Sequence, residues 1–148
     1  MLTDVAALRL HPAIPWSLRA AAKDTVLPAG GGSDGRSSLL VQRGTTVLVP
    51  SYCLHRCEEY WGTNANLFYP ERWNSFTPAP WTYIPFSAGP RMCPGYQFAI
   101  NTASYVTVRL VQLLDSIDAK DDTPWKEELG LSMTSANGAK MSMKFRKV

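Results

Sequence analysis

Phe98, Thr102, Tyr105, Val106, Arg109, Leu110, Leu113 and Leu114 recur at spacings of three and four between Gly95 and Leu114. That period predicts one long amphipathic helix over the segment. A shorter apolar run, Val5 to Leu10, predicts a second helix. Pro12 closes it, because the residue before a proline avoids the helical region. "HPAIPW" then reads as extended, and "AAAKDTVLP" as a strand ending at Pro28. Ala29 to Ser38, "AGGGSDGRSS", predicts a flexible, glycine-rich hairpin excursion. "LLVQRGTTVLVPS" predicts strand, glycine turn and strand, with β-branched residues on both sides of the turn. Tyr60 to Pro85 is rich in Pro, Trp, Tyr and Phe with little periodicity, the mark of a segment that is functional or wrapped over something. Gly130 to Val148 predicts a hairpin around Asn137-Gly138. No internal repeat is visible.

Composition narrows the picture without deciding it. The chain has 148 residues, 45% of them hydrophobic, and a formal net charge of +3. That length allows one ordinary domain with a real core. The basic residues are scattered, apart from Lys140, Lys144, Arg146 and Lys147, whose spacing suits the solvent face of a strand better than a phosphate-binding patch, so nucleic acid is not an expected partner. No apolar run is long enough to span a bilayer, and the first residues do not form a signal peptide. Three cysteines, Cys53, Cys57 and Cys93, do not make a disulfide framework. Cys53 and Cys57 are expected to be buried and apolar in character. The glycine-rich run lacks the Gly-Lys-Ser/Thr ending of a phosphate-binding loop.

Cys93 is different, because it stands where a loop becomes the long helix, two residues after Arg91. A thiolate is stabilised by positive charge and by a helix N-terminus. The setting suits a nucleophile, a redox thiol or a metal ligand. A nucleophile needs a base, and neither histidine, His11 or His55, carries a local protease-like signature. A redox C-x-x-C is absent, and Cys53, His55 and Cys57 have weak spacing for zinc. An axial ligand to haem accounts for more of the residues. A flat macrocycle needs a loop without bulk, which Gly89 and Gly95 supply. A propionate needs a cation, which Arg91 supplies, and Phe86 would shield the sulfur.

"FSAGPRMCPG", Phe86 to Gly95, matches in full the F-x-x-G-x-R-x-C-x-G signature of the cytochrome P-450 family, which the chain therefore resembles. "FYPERW", Phe68 to Trp73, resembles the family's P-E-R-F/W segment in the aromatic meander. "LRLHPAIP", Leu8 to Pro15, resembles the end of its E-x-x-R helix and the strand that follows. His55-Arg56 resembles its short helix between sheet and meander. The resemblance covers nearly all of residues 1–148. It implies a mainly α fold with small β-sheets (α+β), as the C-terminal haem-binding part of the family's domain. It also implies Cys93 as proximal thiolate ligand of haem b (iron protoporphyrin IX), Arg91 and Arg19 as propionate partners, and Arg9 and Arg72 as structural residues. Ile14, Pro15 and Trp16 would line the substrate side, and the Asn137 tip would be a second substrate loop. The implied activity is hydroxylation of an apolar molecule with dioxygen and electrons from an NADPH-dependent flavoprotein reductase docking around Cys93. The glycine-rich insertion between strands resembles the fungal alkane- and fatty-acid-hydroxylase branch.

Two departures qualify those implications. The family carries a glutamate three residues before its helix arginine, where this chain has Ala6. Arg9 and Arg72 are therefore expected to share a site without their acid, with Asp4 on another face and Glu71 pointing away. The chain also starts inside that helix, without the membrane anchor that places the full-length family on the cytosolic face of the endoplasmic reticulum, and without the distal helices. The expectation is a truncated piece, its Met1 internal or spurious, that needs the missing N-terminal part of the same domain. An inert fragment, and a small zinc or redox module built on Cys53, His55, Cys57 and Cys93, stay open as alternatives. Pro94 lacks an N–H and so cannot donate to the sulfur.

Overall fold

The structure, a computed structural model, describes residues 2–130 and 132–146. The expectations resting on Met1, Leu131, Lys147 and Val148 fall outside the described residues. Helices and small antiparallel sheets alternate along the chain, as the α+β expectation requires. The chain forms two compact units, one of residues 16–50 and the other of residues 1–15 and 51–148.

The unit of residues 16–50 holds four strands. They are β1 (Ser17–Ala20), β2 (Thr25–Gly31), β3 (Ser37–Val41) and β4 (Thr46–Val49). The strand, turn and strand expected over residues 39–51 exist, but β3 and β4 do not pair with each other. β4 pairs with β1, Arg19 opposite Val47, and β3 pairs with β2, Thr25 opposite Val41. The turn between them is tied elsewhere: the Gly44 N–H donates to the Ala21 carbonyl, and the Ala21 N–H to the Thr45 carbonyl. β2 does not stop at Pro28, which a two-stranded ribbon tolerates because its ring can face the unpaired edge. Gly31 is needed where it is, since a Cβ there would sit 2.3 Å from the Ser38 carbonyl oxygen. The expected glycine-rich hairpin excursion exists, with residues 29–31 and 37–38 in its two strands and a tip at residues 32–36.

The other unit opens with α1 (Leu2–Leu10), which ends ahead of Pro12 as expected. Two short helices follow, α2 (Ser51–Leu54) and α3 (Glu58–Trp61), then a 3₁₀ turn at Pro70–Asn74. The aromatic stretch wraps a core of its own making. Trp61, His55 and Ala65 are buried, and Trp61 meets Trp73 at 5.8 Å, Phe76 at 5.3 Å and Tyr83 at 6.1 Å between ring centres. Cys53 is exposed and Cys57 half-buried, contrary to the expectation of two buried cysteines, because it is Ser51 and His55 that this segment turns inward.

The long helix, α4, spans Tyr96–Leu113. Residue 114 belongs instead to β5 (Leu114–Ala119), where the period switches to alternation with Leu114 inward. β5 pairs with β8 (Met141–Phe145), and β6 (Glu127–Leu129) pairs with β7 (Met133–Ser135). The Asn137-Gly138 turn forms, with the Gly138 N–H on the Ser135 carbonyl, but its flanking strands pair with β6 and β5 rather than with each other. The Asn137 amide donates to Thr123 Oγ1 and the Pro124 carbonyl, pinning the turn sideways. Lys144 lies exposed on β8, 3.0 Å from Asp115. Among the described residues no helix is long and apolar enough to cross a membrane.

Candidate functional site

Cys93 lies between a short 3₁₀ turn, Gly89–Arg91, and the start of α4. The loop leading to it is closed at its base. Cys93 N–H donates to the Phe86 carbonyl at 2.9 Å, and Met92 N–H to the Gly89 carbonyl at 3.0 Å. Closure bends the chain through two left-handed positions, Ser87 at φ 62° and Gly89 at φ 69°. Glycine takes such a φ at no cost, whereas serine is strained there, and strain of that kind gathers at functional loops. The sulfur is carried outward: Cys93, Arg91, Gly89 and Gly95 are all exposed, and Phe86 is half-buried with its ring 6.3 Å from that of Tyr96. A Cβ on Gly95 would come within 3.9 Å of Cys93 Sγ, ordinary contact. α4 has no side-chain cap at Gly95 and no acidic residue in its first turn, so its positive end faces Cys93 without a competing carboxylate.

Behind the loop sits a buried basic core. Arg9 and Arg72 are both buried and, as expected, share no acid among the described residues. Backbone carbonyls take its place. Arg9 donates to those of His55 and Ala65 through Nη1 and of Leu67 through Nη2. Arg72 donates to those of Trp61 and Asn64 at 2.7 and 2.9 Å, while its buried Nε has no partner among the described residues. The Arg9 guanidinium also lies 5.0 Å from the Trp61 ring centre. Burial, then repulsion from Arg72 and Arg56, pulls the Arg9 pKa down to about 10, so it stays charged at neutral pH. Asp4 is engaged elsewhere, accepting from Ser104 and Thr107 of α4, and Glu71 is exposed.

The remaining expected residues fall in different places. Ile14 is exposed and Pro15 buried in a segment held by three bonds: Met133 N–H to the Ala13 carbonyl, Ser51 Oγ to that of Ile14, and Tyr52 N–H to that of Pro15. Arg19, on β1, and Trp16 belong to the unit of residues 16–50; Arg19 donates to its neighbour's carbonyl, that of Leu18.

A scan against family models matches residues 7–143 to cytochrome P450. The chain belongs to the cytochrome P450 family. Among its curated relatives, "Cytochrome P450 52A13" of Debaryomyces hansenii is 44% identical over 138 residues, 92% of this chain and 27% of that protein. "Cytochrome P450 52A3-B" of Candida maltosa is 44% identical over 142 residues, 93% of this chain and 27% of that protein. "Cytochrome P450 monooxygenase alt2" of Alternaria solani is 48% identical over 115 residues, 77% of this chain and 21% of that protein. The chain thus spans about a quarter of the length of the relatives it matches.

Cytochromes P450 are haem proteins, and the loop's donor set fits that group. A porphyrin brings its own equatorial nitrogens and asks the protein for an axial donor, a cation for its carboxylates and a flat, open approach. Cys93, Arg91 and the bare backbone at Gly89 and Gly95 offer those. A bare metal ion would ask for several side chains at once. The zinc reading loses its histidine, because both ring nitrogens of His55 are engaged: Nδ1 with the Arg9 carbonyl at 3.2 Å, and Nε2 with the Ile84 N–H at 2.9 Å. Among the described residues no group of three His, Cys, Asp or Glu side chains is placed to hold a metal. The sequence offered His55 as part of a motif match, a possible base and a possible zinc ligand, but not in the role seen here; a histidine whose ring partners are backbone atoms leaves no letter for those partners in the sequence.

Proposed function

We propose that this P450 chain carries the thiolate-bearing face of a haem monooxygenase that hydroxylates an apolar substrate such as an alkane or fatty acid. The observation that carries the reading is the outward sulfur of Cys93 on a closed, left-handed loop at the uncapped start of α4. When bound there, haem b would supply dioxygen activation, favoured by an electron-donating thiolate. The chain's own part is to present the sulfur at the start of α4, to pair a propionate through Arg91, and to keep water from the sulfur with Phe86. Gly89 and Gly95 leave room for the macrocycle. Arg19, as the other propionate partner, and Trp16, beside Ile14 and Pro15 as substrate lining, are assigned by resemblance alone. Arg9 and Arg72 hold the meander. Electrons would come from an NADPH-dependent flavoprotein reductase at the Cys93 face, and the membrane of the endoplasmic reticulum would be the site of the whole protein.

The test is a titration with haemin followed by reduction under carbon monoxide. A strongly red-shifted Soret band is expected from thiolate ligation, and Cys93→Ser should abolish it. A spectrum that survives the serine substitution overturns the assignment. A second reading, that the 148 residues by themselves bind but do not turn over, is favoured by α4, which has no buried residue and shows Phe98 and Tyr105 exposed at 76% and 67%. Haem uptake without hydroxylation of a medium-chain fatty acid, under supplied reductase, would distinguish it.

A further inference from the structure

His55 is fully buried; its carbonyl accepts from the Arg9 guanidinium, and its ring joins the two segments that matter most. Nδ1 reaches the carbonyl of Arg9, near the end of α1, and Nε2 reaches the backbone N–H of Ile84. A backbone N–H only donates and a carbonyl only accepts, so the ring must carry its proton on Nδ1 and offer a lone pair on Nε2. Ile84 is the entry to the cysteine loop. Its carbonyl accepts from the Ser87 N–H, and one turn on, the Phe86 carbonyl accepts from the Cys93 N–H. The residue before it is tied to the same helix, since the Tyr83 hydroxyl donates to the Val5 carbonyl. Tyr83 also lies 5.3 Å from the His55 ring centre. The strained turn at Ser87 thus stands on a base clamped twice to α1.

We propose that His55 is a positioning residue for Cys93: as the neutral Nδ1–H tautomer it pins the Ile84 amide to the end of α1 and so fixes the entry of the cysteine loop. The proposal deepens the haem-thiolate reading and rests on it for its consequence, though not for its geometry. Burial drives the ring's pKa down to about 4, so this tautomer is the resting form at neutral pH. The charged groups facing the ring are Arg9 and Arg56, which both oppose its protonation.

Two polar variants separate position from packing. Glutamine at 55 can place its carbonyl oxygen where Nε2 lies and accept from Ile84. Asparagine reaches only as far as Nδ1, keeping the bond to Arg9 and losing the one to Ile84. Amide hydrogen exchange on the chain without haem is the first readout. His55→Gln should keep the Ser87 and Cys93 amides within about threefold of their original protection, and His55→Asn should lower both at least tenfold, with the Leu110 amide in α4 as reference. Trp73→Phe, which thins the same aromatic cluster and leaves both ring bonds, should behave like His55→Gln. Equal loss in His55→Gln and His55→Asn, or Cys93 protection untouched in His55→Asn, overturns the proposal. The second readout is the red-shifted carbon monoxide band after haemin loading, expected to weaken in His55→Asn and persist in His55→Gln. If Cys93→Ser keeps that band, the ligand assignment fails while the exchange result still decides the role of His55.

Discussion

The core under the aromatic meander and the helix that follows the cysteine loop are opposites in how they use burial. In the first, Arg9, His55, Trp61 and Arg72 are buried, and nearly every polar atom finds a backbone partner. In the second, the eighteen-residue α4 buries nothing, and its polar ties to α1 run through Asp4. The first region is self-sufficient, since its charges are solvated by carbonyl dipoles and its rings cover one another. The second owes its helix to local periodicity and not to packing, a weak source of stability for an isolated segment. Stability should therefore reside in the meander core, while the cysteine loop leads into the helix where stability is least.

The sharpest way to break that contrast is to truncate one large apolar side chain in each region. Trp61→Ala should destabilise the chain by about 3–5 kcal/mol, because a fully packed ring is replaced by a cavity. Phe98→Ala should change stability by less than about 0.5 kcal/mol, the range of exposed substitutions. Urea unfolding followed by tryptophan fluorescence, with circular dichroism for the Trp61 variant, checks both. Comparable losses would show that α4 is packed after all.

Acid offers the next largest effect. His55 has its pKa lowered from 6.5 to about 4 by burial and by Arg9 and Arg56. The unfolded chain then binds the extra proton between those two values, so stability rises with pH across that window and levels off above it. The full difference amounts to roughly 3 kcal/mol, lost as pH falls from 6.5 towards 4. His55→Gln removes the titrating group, and its unfolding free energy should flatten over that window relative to the parent chain. An unchanged slope would mean the ring is not buried neutral in solution.

Much of this was readable beforehand, and the divisions are physical. α1 and α4 came through because a 3.6-residue period repeats a local signal many times. The cysteine loop came through because its glycines, arginine and cysteine each answer a separate steric or charge demand within ten positions. Strand partners did not. β3 looked like a mate for β4 because the two flank Gly44, but pairing is decided by distant hydrogen bonds such as those of Ala21. The same holds for the Asn137-Gly138 turn, whose shape was legible and whose partners were not. At the basic core the missing acid at Ala6 was plain, yet the carbonyls that replace it were invisible, since a backbone oxygen has no letter in the sequence.

Ala6 sharpens the contrast from the side of the stable region. Ala6→Glu would bring a carboxylate three residues before Arg9, whose charge feels that of Arg72, and Arg72 has a buried Nε without a partner among the described residues. Charge-assisted bonds of this kind contribute about 1.5–3 kcal/mol, and a gain near 2 kcal/mol is expected in urea unfolding. Ala6 is only 2% exposed, so a loss instead of a gain would mean that the carbonyl arrangement has closed the space an acid would need.

The smallest effect tests whether the stable core extends to the C-terminal strands of its own unit. Tyr52 donates its hydroxyl to Glu127 on β6 at 2.6 Å, while the Arg56 guanidinium lies 3.6 Å from the Tyr52 ring centre. That bond is the main cause holding the Glu127 carboxyl below its ordinary range. Tyr52→Phe keeps the ring under Arg56 and deletes only the hydroxyl, so it isolates one exposed hydrogen bond, worth about 0.5–1 kcal/mol. Two other ties remain, the His11–Trp125 ring contact at 4.3 Å and the Met133 N–H on the Ala13 carbonyl. The Met133 amide should therefore keep its exchange protection in the phenylalanine variant, with the Glu127 pKa rising toward the usual carboxylate value by NMR titration. Loss of Met133 protection would show that a single surface hydroxyl, and not the ring contact and the backbone bond, holds β6 and β7 against residues 11–15.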